Sequence, residues 1–290
     1  MEIPFYQIDA FTNEVFSGNP AGVCLLEEWL PEATLRSIAA ENNLPETAFL
    51  VPQEKQYDLR WFTPKVEIDL CGHATLASGH VIFTYVDPQA QRAEFMSKSG
   101  RLSVERRDDL LFLDFPTRKA AVLDRPEGLD GILGASPTEV LASRDLMAVF
   151  EDEDQIRALT PDLDAVAALD YFALIVTAPG RNSDFVSRFF APGAAIPEDP
   201  VTGSAHCTLI PYWSERLGKK ELHAFQLSAR GGELFCADRG ERVSIGGRCV
   251  TYLTGSIDPC LPFVLPAAGV AVDSAADLYG QDGLLLPLLY

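Results

Sequence analysis

One phrase occurs twice in this chain. Residues 60–75 read RWFTPKVEIDLCGHAT and residues 188–206 read RFFAPGAAIPEDPVTGSAH. Each copy runs Arg, two aromatics, any residue and Pro, then a stretch with carboxylates, then a Gly followed by small residues. The residue before that Gly is Cys71 in the first copy and Thr202 in the second. A period of more than a hundred residues is far too long for a solenoid, so it predicts two related units. In each unit a strand ends at Phe-x-Pro, a loop follows, and Gly72 or Gly203 opens a helix. A helix start presents free backbone N–H groups and about half a positive charge, and Gly lets a ligand come close to them. Two such starts facing each other would line a cleft with opposed anion-binding backbone, with N–H groups from Gly72, Gly203 and Ser204.

The segments around each copy share a grammar. Strands are predicted at 5–11, 22–27, 47–51 and 57–62, a helix at 72–85, and short strands at 93–97, 101–106 and 110–115. PEATLRSIAAEN reads as a helix with Pro31 at its opening and Leu35, Ile38 and Ala39 inward. In the second half, helical material is expected from 125 to 168 around a strand near 146–150. Strands at 171–177 and 185–190, a helix at 203–217 and four more strands follow. The Gly231-Gly232 and Gly246-Gly247 pairs read as hairpin turns. The expected class is α+β: two pseudo-symmetric lobes, each a curved, mainly antiparallel sheet around a central helix. The turn-rich stretch after Thr117 divides them into 1–118 and 119–290, with the apolar tail from Gly283 to Tyr290 packing back on a lobe.

Composition narrows the function classes. A net charge of −19 argues against a nucleic-acid or anionic-membrane surface, and it requires an anion-binding site to supply its own local positive potential. No stretch approaches the ~20 apolar residues of a membrane span. MEIPFYQIDAF lacks the basic and apolar regions of a signal peptide, and the six cysteines contain no CxxC pair, so a cytoplasmic location with reduced thiols is expected. His80, His206 and His223 lack partners at metal spacing, and His73 with His80 offers two ligands only, so no metal is expected. Ser204 lacks the GxSxG flanks of a nucleophile elbow, and no P-loop occurs.

IDAFTNEVFSGNPAGV, NNLPETAFLV, LRWFTPKVEIDLCGHATLASG and FFAPGAAIPEDPVTGSAH resemble the signature stretches of the PhzF family of phenazine biosynthesis-like proteins. The resemblance extends to QLSARGGEL, near Gly232. It implies the fold of diaminopimelate epimerase, one site between two lobes, and neither metal nor organic cofactor. The two-thiol epimerases of that fold carry a Cys before each helix-opening Gly. Thr202 stands in the second position here, and its hydroxyl is no base near neutral pH.

The resemblance instead makes Glu46, in ENNLPETAFL, the acid/base group that shuttles a proton between atoms of a small, carboxylate-bearing cyclic substrate. Read alone, Glu46 sits in a loop between helix and strand, where a solvated Glu is the default. His73 and Asp199 match pocket positions of the family. Read alone, the first is equally a structural imidazole and the second a turn or cap carboxylate before the helix. Asn19 in SGNP is a candidate to close the pocket from the first lobe. Two further readings stay open: an amino-acid epimerase setting Glu46 opposite Cys71, and a non-catalytic metabolite binder that keeps the cleft. A homodimer is compatible with all three.

Overall fold

The computed structural model describes residues 2–259. Cys260 and the tail from Gly283 to Tyr290 lie outside them. Strands pair in the same order in both halves. In the first, β1 (Ile3–Ala10) is antiparallel to β2 (Asn19–Leu25), β2 parallel to β3 (Glu46–Pro52), and β3 antiparallel to β4 (Tyr57–Phe62). The two-residue β5 (Glu67–Ile68) folds back on β4. The order continues from β4 to a parallel β6 (Arg92–Ser97), then antiparallel through β7 (Gly100–Arg107) to β8 (Leu110–Pro116).

After β9 (Ala121–Val122) the second half repeats the pattern. β10 (Glu139–Ala142) is antiparallel to β11 (Leu146–Val149), which is parallel to β12 (Leu174–Pro179), itself antiparallel to β13 (Phe185–Phe190). A parallel β14 (Glu221–Gln226) and antiparallel β15 (Gly232–Asp238) and β16 (Arg242–Gly247) complete it. β8 and β16 pair antiparallel with Leu113 opposite Ile245, so the order is symmetric about that seam. Each seam strand then hands the chain across: β9 pairs with β10, and β17 (Cys249–Ile257) returns to β1. This is the expected α+β class.

Among the described residues the α-helices are α1 (Glu32–Asn42), α2 (Gly72–Val81), continued by a π-helical turn (Ile82–Val86), α3 (Leu129–Leu133), α4 (Glu153–Ala158), α5 (Leu163–Ala167) and α6 (Gly203–Leu217). α1 buries Leu35, Ile38 and Ala39, as its pattern predicts, and ends at Asn43 in the left-handed conformation. α2 is buried almost all round and packs on β1, β2, β3, β7 and β8. Its run of Ala, Ser, Thr and Gly lets strands approach that closely. Among the described residues no helix is long and apolar enough to cross a membrane.

The repeated phrase builds the same object twice. Arg60 makes a two-pronged pair with Glu67, at 2.7 Å for each bond, and its guanidinium lies over the Phe62 ring. Arg188 pairs the same way with Glu198, at 2.7 and 3.0 Å, over the Phe190 ring. Each Arg thus ties the end of its strand to the loop that leads into α2 or α6, a geometry that Arg holds better than Lys. In α6, Pro211 has no N–H for the Cys207 carbonyl one turn back. The backbone N–H of Arg118, in the segment after β8, takes that carbonyl at 2.9 Å and anchors the connection between the halves.

Two expectations change. The stretch 125–168 is not one helical block, because Gly134, Pro137 and Pro161 break it into α3, α4 and α5, and β10 and β11 interleave. Gly246 and Gly247 form no turn but lie within β16, opposite Phe112 and Leu111. An added Cβ would sit 2.3 Å from the Phe112 ring at Gly246 and 2.4 Å from the Phe11 ring at Gly247, so these glycines make room for aromatics.

Gly79 provides a test of the α2 packing. A Cβ there would lie 2.6 Å from a Val104 methyl and 2.8 Å from the Val104 Cβ. Gly79→Ala gains ~1 kcal/mol of helix propensity but meets an overpacking cost of about 1–3 kcal/mol. Net destabilisation is expected, read as a lower denaturant midpoint; an unchanged or higher midpoint would mean that α2 does not rest on β7 as described.

Candidate functional site

The starts of α2 and α6 meet. A Cβ on Gly72 would lie 3.6 Å from the Gly203 Cα, and the converse distance is also 3.6 Å. The residue preceding each Gly, Cys71 or Thr202, is the N-cap in extended conformation, and neither helix has a side-chain cap. Both helix starts therefore keep backbone donors that no capping side chain takes.

Four side chains from distant parts of the sequence gather beside this junction. Glu46 is the first residue of β3, in parallel register with Ala21 of β2. This corrects the loop expected from the sequence: the first rung of the ladder fixes the Glu46 backbone, so only its side chain has freedom. That side chain is 9% exposed. His73, second in α2, brings Nε2 to 2.9 Å from Glu46 Oε2. The approach lies off the hydrogen-bond axis, and Oε2 is left without an aligned partner. On the other side of the imidazole, the Cys71 Sγ lies 3.5 Å from Nδ1.

Asp199 and Asn19 form the other part of the cluster. Buried Asn19, first in β2, donates from Nδ2 to Asp199 Oδ1 and to the Val201 carbonyl, both at 2.9 Å. The Thr202 hydroxyl donates to Asp199 Oδ2 at 2.5 Å and accepts from Gln226 Nε2 at 3.0 Å. Gln226 also donates to the Asp199 carbonyl at 2.8 Å and accepts from the Thr202 N–H at 2.9 Å. The cap reading of Asp199 does not hold, since α6 has Thr202 as its N-cap and Asp199 binds side chains instead. Ser204 turns away from Asp199: its hydroxyl accepts from Arg144 Nη2 at 3.3 Å. Gln226, which orients both Asp199 and Thr202, escapes motif reading although it opens the QLSARGGEL stretch.

Burial and charge act together here. Burial alone would lower the His73 pKa, but the adjacent Cys71 and Glu46 outweigh it and hold the imidazolium well above the usual histidine range. Burial, reinforced by Glu46 and opposed by His73, raises the Cys71 thiol. Asp199 is raised to about 6 by desolvation, with Glu46 adding to it and His73, Thr202 and Asn19 opposing. His206 and His80 both fall to about 4 on burial and stay neutral. Glu46, Cys71 and His73 also offer three donor atoms within 4.8 Å of one another, a juxtaposition that spacing between histidines could not reveal. Two surface clefts of about 390 Å3 along the second half of α6, beside Lys119 and Pro211, share no residue with this cluster.

The family model of the phenazine biosynthesis-like proteins, PhzC-PhzF, matches residues 8–255. The chain belongs to this family. An uncharacterized isomerase of Pseudomonas aeruginosa is 51% identical over 258 residues, which cover 89% of this chain and 99% of the relative. The crystal structure of a PhzF-family protein from Enterococcus faecalis is 47% identical and superposes with a TM-score of 0.88 over 89% of this chain and 100% of that one. A structure described as a predicted epimerase from Pseudomonas aeruginosa shares the fold, with a TM-score of 0.67 at 17% identity over 88% and 99% of the two chains. The resemblance read from the sequence blocks is thereby borne out.

Two outcomes test the site geometry. Because the folded pKa of His73 is raised, the stabilisation from its partner is complete below the ordinary histidine value of about 6.5 and is lost as pH rises through the elevated value. NMR titration should show His73 charged above neutrality in the wild type and shifted down in Glu46→Gln, and the stability difference between the two should shrink with rising pH; an unmoved His73 would sever the pair. Gly203→Ala meets nothing closer than 3.6 Å, so its melting temperature should stay near wild type while ligand access to the helix junction falls. A large drop in stability would show that the two backbones are packed tighter than described.

Proposed function

We propose that this chain is an isomerase in which Glu46 moves a proton on a small, carboxylate-bearing cyclic substrate, without a second protein base. The observation that carries the reading is Glu46 itself: a buried carboxylate with one oxygen lacking an aligned hydrogen bond, beside an imidazolium and next to two uncapped helix starts. In the first step the carboxylate takes a proton from a ring carbon and becomes the acid. The electron pair spreads through the conjugated ring toward the substrate carboxylate, where helix-start N–H groups and His73 stabilise it; such donors contribute about 3–4 kcal/mol each at a transition state. In the second step the acid returns the proton to another carbon on the same face, which restores Glu46 and leaves an isomer. Asp199, held by Asn19 and Thr202, is suited to orient an amine or hydroxyl of the substrate.

The relatives' naming as isomerases supports the reaction class. The Thr202 hydroxyl speaks against a two-base epimerase, since it is engaged by Asp199 and Gln226 and stands where a second thiol would have to be. The proximity of Cys71 to His73 keeps the alternative testable.

The experiment is proton-exchange NMR in D2O, with trans-2,3-dihydro-3-hydroxyanthranilate and a panel of carboxylated metabolites as probes. Exchange should fall by about 10²–10⁴-fold in Glu46→Gln, the usual weight of a general base, and persist in Cys71→Ser. Loss of exchange in Cys71→Ser with inversion at the carbon would favour the epimerase. Binding without exchange across the panel would favour a non-catalytic binder.

A further inference from the structure

We infer that Arg118, Arg144 and Ser204 form a carboxylate-binding subsite at the start of α6, in the half of the scaffold that does not carry Glu46 and His73. The duplicated architecture makes the two corners equivalent. His73 is second in α2 and Ser204 second in α6; Glu46 opens β3 and Leu174 opens the corresponding β12. Leu174 offers no carboxylate. Instead Arg144, between β10 and β11, reaches the helix start and brings Nη2 to 3.3 Å from the Ser204 Oγ. One half thus presents a carboxylate and an imidazole, and the other a guanidinium and a hydroxyl. His73 and Ser204 each directly follow one of the two apposed glycines, so a small molecule at the junction meets both corners.

The Arg144 guanidinium is braced and still has donors to spare. It spends Nε and Nη2 on buried Asp145, at 2.8 and 3.0 Å, and its central carbon lies 4.4 Å from the centre of the half-exposed Phe172 ring. Nη1 makes no hydrogen bond among the described residues, so the Nη1–Nη2 fork is open apart from the long contact to Ser204. Arg118 approaches the same carboxylate, with Nη1 3.8 Å from Asp145 Oδ2, beyond hydrogen-bond distance. That buried nitrogen has no hydrogen-bond partner, although buried polar atoms nearly always find one. Two cations therefore share one anion, in a chain whose net charge is −19. A single positive charge in excess, on a planar fork held by stacking and by Asp145, suits a monoanionic carboxylate, which takes such a fork with two parallel bonds.

That this carboxylate belongs to the molecule on which Glu46 acts rests on the proposed function; the binding of a carboxylate here does not. The test uses benzoate, its neutral counterpart benzamide and inorganic phosphate as probes of the full chain, followed by amide NMR at constant ionic strength. Benzoate should shift the Gly203 and Ser204 amides to saturation, benzamide should leave them unmoved, and phosphate should bind more weakly than benzoate. Arg144→Gln and Arg118→Gln should each weaken benzoate by about 10–100-fold, the usual weight of a hydrogen bond to a charged group. Arg144→Lys keeps a charge beside buried Asp145, and with it the fold, but loses the fork, and should weaken benzoate as well. Arg216→Gln, the same charge change in the last turn of α6, should not alter benzoate affinity.

Benzoate affinity that is equal in the wild type and in Arg144→Lys and Arg144→Gln would overturn the subsite. So would equal shifts from benzamide, or phosphate that outcompetes benzoate. With a substrate in hand, Arg144→Lys should act on KM and Glu46→Gln on kcat. Benzoate binding that depends on Arg144, together with proton exchange that ignores Glu46→Gln, would keep the subsite and remove the shuttle. Exchange that requires Glu46 but is indifferent to Arg144 at subsaturating substrate would keep the shuttle and remove the subsite.

Discussion

Two helix starts in backbone contact govern the rest of this molecule. Gly72 and Gly203 face each other so closely that a Cβ added to either would come into ordinary contact, 3.6 Å, with the other's Cα. Everything that delivers these helices to the junction is duplicated: the strand ending in Phe-x-Pro, the Arg that grips its own loop carboxylate, and the extended N-cap. The β8–β16 seam and the exchange of β9 and β17 then fix the two units against each other. Without a rigid seam, opposed helix dipoles would drive these ends apart, since like partial charges face each other.

The electrostatics follow from that apposition. An acidic chain with 42 carboxylate residues has its positive potential at this point concentrated in two helix starts and one imidazolium. The flanking groups differ in kind. Glu46 and Cys71 press on His73 from the first half, while Asn19, Thr202 and Gln226 hold Asp199 in a neutral hydrogen-bonded frame in the second. The duplicated scaffold thus carries an asymmetric site. Cys71 and Thr202 occupy equivalent N-cap positions, and the difference between a thiol and a hydroxyl marks where the halves diverged: one faces an acid/base pair, the other a carboxylate to be oriented.

Much of this is legible in the amino-acid sequence. The fold class follows from the repeat and its strand–loop–helix grammar, and the ends of α6 fall where the residue pattern predicts them. Glu46 meets His73, and Asn19 meets Asp199, across separate blocks of the chain. The departures have physical reasons. Glu46 reads as a loop residue because the parallel ladder that captures it is made with β2, a partner that local pattern cannot name. Gly246 and Gly247 read as a turn because two glycines usually mean one, whereas the rings of Phe112 and Phe11 are their actual cause. Gln226 carries no signal as a neutral residue in a strand; it matters through its reach across to Thr202 and Asp199.

By itself the sequence determined that one phrase recurs, that each copy presents a Gly-opened helix after a strand ending in Phe-x-Pro, and that one helix carries Cys where the other carries Thr. Those are local properties, set by periodicity, by Gly and Pro backbone preferences and by residue identity. Only the tertiary structure decided that the two helix starts touch, that Cys71, His73 and Glu46 share one buried space, and that Asp199 answers to Asn19 rather than to its own helix. These depend on contacts between residues up to 180 positions apart, and on burial that turns modest charges into strong ones. Neither long-range register nor dielectric environment is written in any local window of the chain.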